Sequence, residues 1–138
     1  MSAPAFLDTN ILVYATLRSD PRSEPARELL SQRCVISVQV LNEFANVAHR
    51  KLQKPWPEIM LALAPVRVLC PSPRPITLDT HDAAVAIAAG TGYAFYDALI
   101  IASALEAGCA TLFSEDLQDG QVIDGRLTIR NPFNRQQG

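Results

Sequence analysis

Short apolar runs alternate along this chain with longer segments of helical periodicity, and this alternation constrains the fold more than any other feature of the sequence. Runs of three or four apolar residues are typical of buried strands, whereas apolar residues three and four positions apart indicate helices. A regular alternation of the two predicts an α/β fold, with a central, mainly parallel sheet flanked by helices in three layers. The predicted strands are residues 5–7, 34–36, 66–69, 111–113 and 127–129.

Helices are expected where a capping residue or a turn precedes a spaced apolar pattern. Ser37 is the expected cap of a long helix running to about Lys54, and Asp79 or Thr80 is the expected cap of a later one. A strongly apolar helix is predicted to end at Gly108, since glycine commonly terminates helices. The predicted helices are residues 24–32, 38–54, 58–64, 82–89 and 97–107.

The chain length and composition fit one hydrophobic core. The 138 residues, 49% of them hydrophobic and 19% charged, bury enough apolar surface to offset the loss of chain entropy. We therefore expect one domain over residues 1–138, in which the polar segment 131–138 forms a loose tail.

Other features narrow the environment and the chemistry. The cysteines, Cys34, Cys70 and Cys109, are odd in number and far apart in sequence, which predicts buried thiols in a reducing cytoplasm rather than disulfides. No apolar run approaches the length of a membrane span, so we expect a cytoplasmic protein without membrane contact. With His49 and His81 as the only histidines, both expected at the surface, no zinc site is predicted.

Two common kinds of catalytic site are missing from the sequence. The glycines do not form a phosphate-binding loop after a strand, which argues against nucleotide binding. The chain also lacks the glycine-flanked serine of the serine hydrolases. Acidic residues next to apolar segments are the remaining candidates for chemistry.

Four such carboxylates stand out. Asp8 and Asp116 follow predicted strands, Asp97 begins an apolar helix and Glu43 borders the apolar stripe of another. Each also has a structural interpretation, as a cap, a loop residue or a solvated flank, and no single one decides between the two. If the elements pack around one sheet edge, the carboxylates share a pocket, where their mutual repulsion calls for a cation. Oxygen-only ligands favour Mg²⁺ or Mn²⁺, which can activate water for phosphodiester hydrolysis.

The same residues occur in segments that resemble, in order, the motifs of the PIN-domain ribonucleases, and most of all the VapC-type toxins of bacterial toxin–antitoxin pairs. The similarity extends from about residue 5 to residue 133. The segments are residues 6–15 (FLDTNILVYA), 37–44 (SVQVLNEF), 96–102 (YDALIIA), 114–116 (SED) and 129–133 (IRNPF). The order of the motifs makes the resemblance specific, whereas the isolated Asp-Thr-Asn triplet would be a weak signal.

The resemblance implies a metal-dependent endoribonuclease that uses Mg²⁺ or Mn²⁺. It also implies a homodimer and an antitoxin protein as partner. The positions that match the acidic metal site are Asp8, Glu43, Asp97 and Asp116, with Asp119 as a further ligand candidate in the same loop, and those that match small hydrogen-bonding residues beside the metal are Thr9 and Ser114.

A net charge of −2 gives no general attraction for RNA, so the basic residues must act locally. The segment up to Lys54 has a net charge of +2, whereas the segment from Asp97 onward has −3. For the basic end of the long helix, the alternative is a solvated helix terminus that interacts with its own dipole. The candidate RNA-binding residues are Arg18, Arg22, Arg50, Lys51 and Lys54.

Two other functions remain as alternatives. A catalytically silent module of the same fold would bind RNA or a protein partner without cleaving it. A receiver-type signalling domain also combines an α/β fold with an acidic Mg²⁺ pocket, but the chain lacks the paired early acids and has no lysine after Lys54. The sequence does not indicate which RNA would be cut.

Overall fold

The computed structural model describes residues 4–133 and confirms the α/β prediction: within this range, six helices flank a mostly parallel sheet of five strands. The strands are β1 (Ala5–Leu7), β2 (Cys34–Val35), β3 (Thr111–Phe113), β4 (Val122–Ile123) and β5 (Leu127–Arg130). The helices are α1 (Thr9–Thr16), α2 (Ser23–Ser31), α3 (Val38–Arg50), α4 (Trp56–Leu69), α5 (Leu78–Thr91) and α6 (Phe95–Glu106).

The sheet order explains why residues distant in sequence meet at one edge. The strands lie in the order β2-β1-β3-β5-β4, and all neighbouring pairs are parallel except β4 and β5. In the central pair, Phe6 lies opposite Leu112 and Leu7 opposite Phe113. The residues that follow these two strands, Asp8 and Ser114, therefore leave the sheet side by side at its carboxyl edge.

The apolar residues of the strands and of α6 lie in the hydrophobic core. Phe6, Leu7, Leu112 and Ile129 have no exposed surface. Residues 98–104 of α6 are all buried, as expected for a helix apolar on every side. No single helix of residues 4–133 has the length and apolarity to span a membrane, and α5 with α6 meets those criteria only as a pair bent by 117°.

Three parts of the predicted element order are wrong, and one of them is helix α1 (Thr9–Thr16), which was not among the predicted helices. Residues 66–69, predicted as a strand, form the last turn of α4, which continues through Pro65. A short apolar run does not by itself distinguish a strand from a buried helical turn, and Val66 is buried within α4. Strand β4, which the sequence analysis did not predict, pairs antiparallel with β5 and has only one buried residue, Ile123.

Several helix ends also differ from prediction. Helix α3 ends at Arg50 rather than Lys54, and Gln53 has a left-handed φ of 55° that is incompatible with a continuing helix. Helix α5 is capped by Thr77, whose side chain accepts the backbone N–H of Thr80. Helix α6 begins at Phe95, so Asp97 lies within its first turn and is not its cap.

The three cysteines are free and buried, as predicted. Cys34 and Cys70, although 36 residues apart in sequence, nevertheless contact each other with 2.9 Å between their sulfur atoms. Sequence spacing alone did not indicate this contact, because β2 and the end of α4 become neighbours only in the folded chain.

Candidate active site

Asp8 connects the sheet to α1 and is the most deeply buried carboxylate of the site. Its side chain caps α1 by accepting the Thr9 N–H at 2.7 Å, and its other oxygen accepts the Ser114 hydroxyl at 2.7 Å. The residue is only 5% exposed. Burial raises the pKa of Asp8 from 3.8 to about 6. The hydrogen bonds from Ser114 and Thr9 lower this pKa, and the charges of Glu43 and Asp116 make smaller contributions that raise it.

A cavity of about 470 Å³ brings the four predicted carboxylates together. Asp8 enters it from the end of β1, Glu43 from α3, Asp97 from the first turn of α6 and Asp116 from the loop after β3. Burial, and then the charge of Asp116, raises the pKa of Asp97. The carboxylates are therefore close enough to disfavour one another's charged form.

Thr9 links the first two carboxylates. Its hydroxyl donates to Glu43 Oε1 at 3.2 Å, while its backbone N–H binds Asp8. Gln39, one helical turn before Glu43, donates its amide to Glu43 Oε2 at 3.0 Å. Thr9 thus contacts two of the candidate carboxylates, and Gln39 is an additional hydrogen-bond partner of Glu43.

Asn10 lines the cavity, although it was not among the predicted site residues. Its amide donates to Asp116 Oδ2 at 3.1 Å, and its carbonyl oxygen accepts the Glu115 N–H at 3.2 Å. Ser114 supports the same loop, since its hydroxyl oxygen accepts the Asp116 N–H at 3.2 Å while the hydroxyl donates to Asp8. The sequence feature that could have identified Asn10 is its place two residues after Asp8, in the first turn of a capped helix.

Arg22, predicted to bind RNA, forms ion pairs with two acidic residues of the same chain. Its guanidinium donates to Glu115 Oε2 at 2.9 Å, forms a 3.3 Å pair with Asp20 and lies 4.2 Å from the centre of the Tyr14 ring. The Tyr14 hydroxyl donates to the other oxygen of Glu115 at 2.5 Å. Glu115 and Tyr14 were not predicted as site residues, and with Arg22 they fix the loop that carries Asp116.

The other predicted cations and Asp119 divide into two groups. Arg18 and Lys51 line the carboxylate cavity, and Arg18 also forms a 3.6 Å ion pair with Asp20. Arg50 and Lys54 do not line it, and Lys54 forms a 3.2 Å ion pair with Glu58. Asp119 also lies outside the cavity lining and accepts the backbone N–H of Asn131 at 2.8 Å.

The side chains of the cavity meet the needs of a divalent cation only in part. The cavity offers carboxylate oxygens and no sulfur or imidazole ligand, which fits Mg²⁺ or Mn²⁺ in chemistry. However, no group of three or more acidic, histidine or cysteine side chains within residues 4–133 is arranged to hold a metal ion. The present partners of Glu43 and Asp116 are Thr9, Gln39 and Asn10. The site therefore has the donor chemistry without a formed coordination shell.

The raised pKa of Asp8 gives a test in metal-free buffer. Burial of the charged Asp8 side chain lowers the unfolding free energy of the protein. This loss of free energy is fully present above pH 6 and disappears as the pH falls toward 3.8. Relative to Asp8→Asn, wild-type protein should lose on the order of 3 kcal/mol of unfolding free energy between pH 4 and pH 7. Urea unfolding of both proteins across this range measures the difference. A difference that does not vary with pH would contradict the burial of a charged Asp8.

Comparison with solved structures identifies the same fold in several bacterial toxins. Mycobacterium tuberculosis VapC20, a toxin that cleaves the sarcin-ricin loop, has a TM-score of 0.67 at 21% identity, over 81% of this chain and 91% of the other. A toxin–antitoxin complex from Klebsiella pneumoniae has a TM-score of 0.67 at 21% identity, over 94% of this chain and 98% of the other. VapBC2 from Rickettsia felis, bound to a promoter DNA fragment, has a TM-score of 0.66 at 19% identity, over 92% of this chain and 97% of the other.

Sequence comparisons add the family. No significant match was found among curated proteins. The family model of the PIN domain matches residues 5–118, most of the chain and all four cavity carboxylates. This chain is therefore a member of the PIN domain family.

Proposed function

We propose that the protein is a metal-dependent endoribonuclease that hydrolyses phosphodiester bonds of RNA. The observation that carries the proposal is the convergence of Asp8, Glu43, Asp97 and Asp116, from four different elements, on one cavity. So many carboxylates in one place destabilise a fold unless they serve a cation, and a binding site for hard cations is the chemistry they share. Membership of the PIN domain family supports the nuclease function.

The residues of the chain divide the work between holding and positioning. A bound Mg²⁺ or Mn²⁺ would supply a water of lowered pKa and offset charge on the phosphate. Asp8, Glu43, Asp97 and Asp116 would hold the cation. Thr9, Asn10 and Ser114 fix the carboxylate oxygens by the hydrogen bonds described above, and Arg18 and Lys51 would bind flanking phosphates.

We further propose that the protein is the toxin of a toxin–antitoxin pair. Two of the structures with the same fold are described as a toxin–antitoxin complex and as VapBC2 bound to promoter DNA, which supports an antitoxin partner. A homodimer, one nuclease domain over the whole chain and a cytoplasmic location complete this proposal. Co-expression with the product of a neighbouring gene tests it, since that product should bind the chain and suppress cleavage.

A silent module that binds RNA without cutting it is the second candidate. It is favoured by the lack, within residues 4–133, of a formed coordination shell around the carboxylates. The two functions differ in a simple assay: digestion of single-stranded RNA with Mg²⁺ or Mn²⁺, with an EDTA-treated sample as control. A silent module binds the RNA and leaves it intact in both samples.

Metal binding should be visible in thermal stability. At about ten times the dissociation constant, Mn²⁺ should raise the melting temperature of the wild-type protein by about 5 °C, because the cation binds only the folded site. Asp8→Asn should lose most of this shift. Equal shifts in the two proteins, or none in either at millimolar metal, would contradict the proposed cation site.

The basic side chains that line the cavity should contribute to RNA binding, and those outside it should not. Lys51→Ala should raise KM for single-stranded RNA about tenfold and make the binding less dependent on salt, because one phosphate contact is lost. Lys54→Ala is the matched control, since this lysine pairs with Glu58 and lies outside the cavity lining. Equal effects of the two variants on KM would refute the assignment of Lys51.

A further inference from the structure

A second cavity, of about 530 Å³, adjoins the candidate active site and shares Glu43 and Asp97 with it. Its other lining residues are uncharged: the amides Gln39, Asn42 and Asn46, and the aromatic Tyr96. We call it the amide cavity. Its lining contains no lysine or arginine, whereas Arg18 and Lys51 line the first cavity. Basic contacts for phosphates are therefore found only in the first cavity, whereas the acidic edge of the amide cavity favours an uncharged group.

The amides form one exposed face of α3. Gln39, Asn42 and Asn46 are three and four positions apart, which places them along the same side of a helix. The side chains of Asn42 and Asn46 are exposed and have no hydrogen-bond partner within residues 4–133. An amide carries two donors and an acceptor, the combination that pairs with the edge of a nucleobase.

Tyr96 supplies an aromatic surface beside these amides. It is 62% exposed, although α6 is otherwise largely buried, and its ring contacts Phe95 edge-on with 5.7 Å between centroids. The next residue, Asp97, belongs to both cavities. An exposed ring next to a site for phosphodiester chemistry is placed to stack on a base, an interaction that does not depend on which base is present.

We propose that the amide cavity binds the base of a nucleotide next to the cleaved phosphodiester bond of single-stranded RNA. Tyr96 stacks on the base, and Asn42 and Asn46 hydrogen-bond to its edge. This inference rests on the proposed ribonuclease function and adds a base-binding subsite to it: in a duplex both faces of each base are already stacked, so a paired base does not enter the cavity.

The stacking is tested with RNA oligonucleotides in which one abasic nucleotide is moved stepwise past the cut. In the wild-type protein, one position next to the cut should raise KM about tenfold when the base is removed. Tyr96→Ala should raise KM by a similar factor on intact RNA, keep kcat within about twofold and show no further loss with that abasic RNA. Tyr96→Phe should behave like the wild-type protein.

Two further variants separate the amide cavity from the protein surface in general. Trp56→Ala removes another aromatic side chain that is half exposed, at 51%, and lines neither cavity, so KM should not change. Asn46→Ala should redistribute the cut sites among the four bases. A wild-type KM for Tyr96→Ala, or additive effects of this variant and the abasic nucleotide, would overturn the base site and leave the ribonuclease proposal standing.

Binding of the same oligonucleotides is measured by fluorescence anisotropy. If the wild-type chain binds but does not cleave RNA, the proposed enzymatic function fails, and the abasic series scored by binding still decides on the base site. A tenfold weaker binding that is lost in Tyr96→Ala supports it, and an abasic series without effect on binding refutes it.

Discussion

Asp8→Asn is expected to reduce RNA cleavage by about 100-fold or more while the protein keeps its fold. The asparagine oxygen can accept the Thr9 N–H that caps α1, and its amide can donate to the Ser114 hydroxyl oxygen, so the cap is kept and the contact with Ser114 is kept with its direction reversed. What disappears is one carboxylate charge of the cavity, and with it one of the proposed contacts for a divalent cation. The measurement is the rate of RNA cleavage under saturating Mg²⁺ or Mn²⁺.

Asp124→Asn is the control for this variant. Asp124 is exposed, pairs with Arg126 at 3.2 Å and lies outside the carboxylate cavity. The Asp124→Asn substitution removes one negative charge from the same chain, so it reproduces any general effect of net charge on RNA affinity. Cleavage by Asp8→Asn at the rate of Asp124→Asn would exclude Asp8 from the reaction.

Asp97→Asn is expected to have the second large effect, again about 100-fold on cleavage and with little effect on stability. Asp97 is not the cap of α6, since the capping position is held by Ala94 without a side-chain hydrogen bond. The loss of a negative charge in the first turn of a helix costs roughly 0.3–1 kcal/mol. A large loss of activity therefore cannot come from the helix and reflects the contribution of Asp97 to the cavity.

The chain contains a closely matched control for this second variant. Asp79 also lies in the first turn of a helix, α5, and lines neither of the two cavities around Asp97. Asp79→Asn should lower stability by a similar small amount, as measured by urea unfolding, and leave cleavage unchanged. If the two variants cleave RNA equally well, Asp97 has a structural role only.

The alternation of strands and helices could be predicted from local sequence, and the candidate carboxylates from their places beside those elements. Asp8 follows an apolar strand, and the parallel arrangement brings the ends of β1 and β3 to one edge of the sheet. The predictions failed where tertiary contacts decide. The apolar residues 66–69 continue α4, and β4 depends on pairing with β5 rather than on its own two residues.

The supporting residues of the site were harder to predict for the same reason. A basic residue near a predicted site suggests RNA binding, but Arg22 finds its partners in Asp20 and Glu115, the second of which lies 93 positions away. Asn10 reaches Asp116 across 106 positions. Such pairings depend on the folded arrangement of loops, which the spacing of residues in the sequence does not contain.

The central claim is that the cavity of Asp8, Glu43, Asp97 and Asp116 cleaves RNA with the help of a divalent cation. The most direct measurement is digestion of single-stranded RNA by the purified wild-type chain, with Mg²⁺ or Mn²⁺ added or removed by EDTA, followed by mapping of the cut ends. We expect defined internal cuts that require the metal and that Asp8→Asn does not make. Intact RNA with both metals, or the same cuts by Asp8→Asn, would contradict the claim.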